Sequence, residues 1–311
     1  MDIVRISATG AGVNYFPEFV ARELGFFADE GLDVTVEVLG NGPGVPRDVG
    51  SGAADVGLGG IWLPMLYRGR LHTFMPFAQL CNRLAAVLLA RKPAARSFRW
   101  ADLSGKIVVA PGGAPNFWMV LASTLRRAGV DPFSVRFVAD FMAEEAVNLF
   151  GGGFGDFFIG MPPVSDVFIR DGVASQVADF AELGEIPWSI FYAKPEFLNR
   201  PDNVGGRFAK AIQRALLWTL AHDPGEAPGV LKKQFPTLSP DLIADAVRSC
   251  RRRGIWVGTA RITEPALMQW QTVIVEEGRL IDAPMKYSEI VDVRPAKWAE
   301  HELVQQGGSA R

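Results

Sequence analysis

What most constrains this chain is that one pattern occurs in it twice. The first copy opens with "IVRISATGAGVNYFPEFVARELGFFADEGLDVTVEVL" and the second with "GKIVVAPGGAPNFWMVLASTLRRAGVDPFSVRFVAD". Each reads as a β-rich run, a glycine-containing loop, an amphipathic helix, a glycine turn and a second strand. Phe16, Val20, Leu24 and Phe27 keep helical spacing in the first copy, as do Val120, Leu121 and Leu125 in the second. Gly25 and Gly129 then fall at helix ends, where glycine adopts the left-handed cap conformation at little cost. The pattern continues with "GSGAADVGLGGIWLPMLYRG" against "GGGFGDFFIGMPPVSDVFIRDG", which sets Asp55 over Asp156 and Gly59 over Gly160. Each copy is therefore β-α-β-α-β, and strands joined through helices must run parallel.

Two such units imply two α/β lobes facing one another, each a mainly parallel sheet flanked by helices. Ligands of open parallel sheets sit beyond the carboxyl ends of the strands, where helix N-termini point. The loops at that end are Gly10–Tyr15, Gly40–Gly44 and Gly59–Trp62 in one copy. In the other they are Pro111–Trp118, Asp140–Met142 and Gly160–Pro163. Two apolar segments, "CNRLAAVLLARK" at 81–92 and "PWSIFYAKPEF" at 187–197, flank the second copy and predict a two-segment hinge. This assigns 1–84 with 190–311 to the first lobe and 85–189 to the second. Helices are expected over 204–222, 225–235, 239–252 and 264–278, packed around the first lobe, with a frayed tail at "VQQGGSAR".

Several chemistries are disfavoured. "GAGVNY" starts like a dinucleotide fingerprint but puts Tyr15 where the last glycine belongs, and "LSGKI" lacks the rest of a P-loop. Cys81 and Cys250 lie far apart, outside any metal-type spacing, and read as free buried thiols. His72, His222 and His301 do not cluster, so no metal site or histidine-based triad is expected, and no cofactor is called for. A formal net charge of -2 gives no electrostatic reason to expect nucleic acid. The run Arg251–Arg253 reads as a solvated helix face. Asp55 and Asp156 precede their strands, away from the ligand loops, and read as junction residues. Asp140, at a strand's carboxyl end, suits either acid–base work or an N-cap.

The aromatics in the loops are more telling. Tyr15, Trp62, Phe117 and Trp118 fall in or just after loops expected to face the cleft, beside Asn14, Asn41 and Asn116. Gly12, Gly60, Gly112, Gly113 and Met161 complete the candidate wall. Arg83, in the first hinge segment, is either a counter-charge or an exposed surface arginine. Such a cleft suits a small aromatic or heteroaromatic molecule with a polar or anionic group.

On the residues Phe16–Gly42, Val49–Pro64 and Asp102–Pro115, the chain resembles the periplasmic binding proteins of ABC importers, in their sulfonate/nitrate/taurine and thiamine-precursor (NMT1/THI5-like) group. The resemblance runs over about residues 3–220. It implies a two-lobed, type II-like Venus-flytrap fold and a monomer that captures a small solute for a membrane permease and its ATPase. It also implies a periplasmic location; the first strand begins at Asp2 with no signal peptide before it, which leaves the cytoplasm open. The same fold hosts enzymes, among them a desulfinase with a first-loop cysteine and a pyrimidine synthase with a cysteine-rich motif and an active-site histidine. The first loop here has no cysteine and no cysteine-rich segment occurs; the enzymatic alternative is a cytoplasmic enzyme on the same fold, decarboxylase-like or pyrimidine-synthase-like, acting on an aromatic acid.

Overall fold

The computed structural model describes residues 1–39, 44–91, 97–112, 115–277, 281 and 283–308. Ten strands occur among them: β1 (Asp2–Ala8), β2 (Leu32–Val38), β3 (Val56–Gly59), β4 (Met75–Cys81), β5 (Val87–Arg91), β6 (Ile107–Val109), β7 (Arg136–Val138), β8 (Phe157–Gly160), β9 (Ala174–Asp179) and β10 (Ser189–Ala193). They form two five-stranded sheets, ordered β2-β1-β3-β10-β4 and β7-β6-β8-β5-β9. Each sheet is the core of one lobe.

The repeat is visible down to single hydrogen bonds. The Arg5 N–H donates to Asp55 Oδ2 at 2.9 Å, and the Ile107 N–H donates to Asp156 Oδ2 at 2.9 Å. Each aspartate returns its own N–H to the carbonyl of the same residue, Arg5 or Ile107. These carboxylates pin the third strand of each copy to the first, at the end away from the cleft. Gly25 and Gly129 are left-handed, with φ of 78° and 72°.

Strands β1, β2 and β3 are mutually parallel, as are β6, β7 and β8. Each sheet is nevertheless mixed, because one strand runs against the rest: β10 between β3 and β4, and β5 between β8 and β9. In both cases that strand has just arrived from the other lobe. A strand reached by a short link, without a helical crossover, enters from the cleft end and must run back against its neighbours.

The links, 82–86 and 180–188, are tied to each other and to the chain that follows the Pro240–Arg252 helix. The Ile186 N–H donates to Asn82 O and the Trp188 N–H to Cys81 O. Arg253 donates to Ala85 O at 2.8 Å and to Ala86 O at 3.0 Å, and its Nε lies 2.7 Å from Asp179 Oδ2. One guanidinium thus holds the first link and the end of β9 together, its planar fork matching carboxylate and carbonyls at once. Arg253 is therefore not part of a solvated face, and Arg251 donates to His222 O; of the triplet Arg252 alone is exposed.

After β10 the chain is mainly helical. The helices Val204–Ala221, Ala227–Leu231, Pro240–Arg252 and Arg294–Gly308 pack on the first lobe. The helix Glu264–Glu277 does not follow that expectation. It packs on the Asn116–Arg127 helix of the second lobe, where Ser123 Oγ donates to Glu276 Oε2 at 2.5 Å and Arg127 pairs with Glu276 at 2.8 Å. The tail expected to fray is helical as far as Gly308. No helix among the described residues is long and apolar enough to cross a membrane.

Candidate functional site

A cavity of about 510 Å³ lies between the lobes at the carboxyl ends of β1, β3, β6 and β8. That is within the usual range for sites enclosing a small organic molecule. Of the residues singled out in the sequence, Gly12, Asn14, Tyr15, Gly60 and Trp62 line it from the first lobe, and Gly112, Asn116, Phe117 and Met161 from the second. Asn41 and Gly113 lie outside the described residues.

The glycines do different jobs. A Cβ on Gly12 would stand 2.4 Å from Asn14 Oδ1, and one on Gly60 would stand 2.4 Å from Trp62 Nε1. Both glycines let a side chain fold back over the loop beside the cavity. Gly112 instead serves strand–loop packing, since its Cβ would lie 2.4 Å from Ala139 O and 2.6 Å from Phe141 O. Gly10, its counterpart in the first copy, also lines the cavity and has nothing within 4 Å of such a Cβ.

Two candidates turn away. Trp118 is buried under its own helix, where its Nε1 donates to Glu277 Oε1 at 3.0 Å and its ring meets Phe133 and Phe137. On a helix, consecutive residues point about 100° apart, so Phe117 and Trp118 cannot both face the cleft. Arg83 donates to Ala181 O at 3.3 Å and is absent from the cavity wall, so it joins the links and supplies no counter-charge there. Asp140 is exposed, and the N-cap of the next helix is Met142, whose side chain makes no capping bond.

Other wall residues were not singled out in the sequence. Trp188 ends the second link and Ser189 begins β10, while Phe235, Thr237 and Leu238 come from the segment before the Pro240–Arg252 helix. Thr9, Val147, Phe158 and Val164 add to the sides. The Phe117 and Trp188 rings lie 6.2 Å apart, and Trp188 meets Trp270 edge-on at 5.3 Å. An aromatic row thus runs from the second lobe through the link to the Glu264–Glu277 helix.

Polar groups on the wall are neutral. Thr9 Oγ1 and Tyr15 OH are 3.4 Å apart, and burial raises the Tyr15 phenol above its ordinary range, keeping it protonated. Asn14 is held by its backbone carbonyl, which accepts from Trp256 Nε1 at 2.8 Å and from the Cys81 thiol at 3.2 Å. Burial pushes that thiol up to about 12, so Cys81 is no thiolate nucleophile near neutral pH. Asn116 Oδ1 is buried without a hydrogen-bond partner. No Lys, Arg, His, Asp or Glu lines the cavity among the described residues. Burying an unpaired ion typically costs several kcal/mol, whereas a helix N-terminus returns only about 0.3–1 kcal/mol to a nearby anion. Behind Gly10 and Ala11 a smaller cavity of about 70 Å³ reaches Glu18 and Arg22, whose Oε1 and Nε are 3.7 Å apart. No group of three or more potential metal ligands occurs among the described residues.

The NMT1/THI5 like family matches residues 13–227, and the chain belongs to that family. YtlA of Bacillus subtilis (strain 168), named as a candidate binding protein, is 26% identical over 283 residues, covering 89% of this chain and 84% of its own. The periplasmic aliphatic sulphonate binding protein SsuA of Escherichia coli has the same fold, with a TM-score of 0.74 at 18% identity over 96% of this chain and 98% of its own. So does the desulfurization enzyme DSZB, with a TM-score of 0.67 at 14% identity over 97% of this chain and 99% of its own.

Proposed function

We propose that this protein is the solute-binding component of an ABC-type importer, and that its interlobe cleft captures a small aromatic or heteroaromatic molecule bearing a polar group. The family and the named relatives support the first part. The second rests on one observation: a cavity of about 510 Å³ walled by Tyr15, Trp62, Phe117, Trp188 and Phe235 from both lobes and the segments joining them. Flat rings gain most from such walls. Burying about 150 Å² of aromatic surface contributes about 4 kcal/mol at the usual coefficient, less the ligand's lost freedom. A periplasmic monomer that delivers this solute to a permease and its ATPase is the corresponding cellular role. An enzymatic reading needs a nucleophile or a general base, and the described wall offers hydroxyls and amides without a carboxylate or imidazole to activate them.

A thermal-shift screen of aromatic, heteroaromatic and aliphatic solutes, followed by mass spectrometry of the solute, tests this reading. A solute at a hundred times its Kd adds about 2.7 kcal/mol to stability. Aromatic solutes should raise the midpoint and be recovered unchanged. A shift with nitrate or aliphatic sulfonates alone, or turnover of the bound molecule at catalytic rates, would contradict it.

A further inference from the structure

Resting on that reading of the cleft, we infer that segment 232–238 is the gate through which a solute enters the cavity, and that Lys232 is the positioning residue that holds it across the mouth.

The place of the mouth follows from exposure. Of the described wall residues, all but two are buried or half-buried. The exposed two are Ala143, which opens the Ala143–Gly151 helix of the second lobe, and Thr237. The cavity therefore meets solvent between the start of that helix and the segment that carries Thr237. Phe235 and Leu238, close to Thr237 in the chain, are half-buried and line the same cavity. On the opposite rim, Phe141 and Met142 directly precede Ala143 and are 40% and 44% exposed. Both rims are apolar, so bringing them together removes that surface from water.

The segment is a compact loop whose shape is set by one side chain. It joins the helices Ala227–Leu231 and Pro240–Arg252 and belongs to neither copy of the repeat. At its start, the N–H groups of Gln234 and Phe235 both donate to Leu231 O, and beyond its end Ser239 Oγ accepts from the Leu242 N–H at 3.3 Å. Between these fixed ends Lys232 Nζ donates to Pro236 O at 2.9 Å and to Leu238 O at 2.8 Å. One ammonium thus closes the loop on itself through two charge-assisted bonds, and the closed loop presents Phe235, Thr237 and Leu238 to the cavity. Lys233 pairs with Glu23 at 3.0 Å, and Gln234 lines the small cavity behind Gly10 and Ala11. The segment therefore rides on the first lobe, with its tip at the rim that faces the second.

A reporter thiol inside the cavity tests this without any solute. Cys81 and Cys250 are fully buried and burial raises both thiols, so Met161→Cys supplies a single reactive site on the wall. Its modification by N-ethylmaleimide at pH 7 is read by mass spectrometry. In that background Lys232→Met should speed modification about ten-fold, the effect of taking one charge-assisted hydrogen bond from the closed gate. Lys232→Arg, whose fork can serve two carbonyls, should stay within about two-fold of the parent, as should Lys233→Met. Lys232 is exposed, so the melting temperatures of its variants should remain near the parent's. An unchanged rate in Lys232→Met, an equal rise in Lys233→Met, or a parent that reacts as fast as free cysteine overturns the inference. So does a rise that Cys81 and Cys250 share, since that reports general loosening. Each of these results leaves the reading of the cleft standing; that reading fails on the solute screen, whose outcome does not enter here.

Discussion

The two lobes start from one pattern and diverge in what lies behind it. In the first, Phe16 packs under the loop against Trp218 and Trp256, at ring distances of 6.2 and 6.1 Å, and four C-terminal helices cover that side. In the second, Trp118 holds the position equivalent to Phe16 and is met by the Glu264–Glu277 helix through Glu277. Facing the cleft, the copies stay alike: Asn14 with Asn116, Tyr15 with Phe117. The repeat keeps what lines the cavity, and varies what anchors each lobe to the rest of the chain.

The largest effect expected from this comparison is at the anchors. Phe16→Ala and Trp118→Ala should each lower stability by about 3–5 kcal/mol, the usual result of emptying a buried aromatic site. Chemical denaturation reads this directly. For Trp118→Ala, the molecules that remain folded should bind solute with unchanged affinity, since Trp118 is not on the wall; a large loss of affinity would return it to the cleft.

Next comes the join between the lobes. Arg253 and Asp179 pair at 2.5 Å with side chains only 13% and 15% exposed. Arg253→Ala should cost about 3–4 kcal/mol, as breaking a buried pair leaves a charge uncompensated. The exposed neighbour Arg252→Ala should stay within about 0.5 kcal/mol. Similar midpoints for the two variants would mean that the arginine fork holds nothing together.

A third contrast is titratable. Where the second copy has buried Val120, the first has Glu18, only 2% exposed and pushed up to about 7 mainly by burial. Its folded-state value is raised above the ordinary 4.5, so the native state holds the proton more tightly than the unfolded chain. Stability from this site therefore falls as pH rises from about 4.5 to about 7, then levels off. Glu18→Gln should be close to neutral at pH 4 and gain up to about 3 kcal/mol over the native protein at pH 8. A difference independent of pH would contradict the assignment.

The smallest effect separates two glycines. Gly112→Ala places a methyl against two backbone carbonyls and should destabilise by about 1–3 kcal/mol. Gly10→Ala meets open space and should leave the melting temperature alone while reducing solute affinity. The reverse pattern would exchange their roles.

How far the sequence reached can be judged from these same residues. Two facing α/β units, the pinning aspartates and most of the cleft loops follow from the repeat, because periodicity and glycine placement are local signals. Trp118 was misread although the signal was present: superposing "NFW" on "NYF" puts it on Phe16, a core position of the first helix. The roles of Arg83 and Arg253 depend on carbonyls of the links, which no local pattern encodes. Phe235 and Leu238 have no counterpart in the second copy, and all of β10 is buried, so alternation could not say that Ser189 faces the cavity.

The central claim is that equivalent loops of both lobes enclose one solute. Hydrogen exchange with and without a solute that raises the melting temperature tests it most directly. Protection is expected together in the Thr9–Tyr15 segment, at the start of the Asn116–Arg127 helix, and around Trp188 and Phe235–Leu238. Protection confined to one lobe, with the other exchanging as in the free protein, would contradict it.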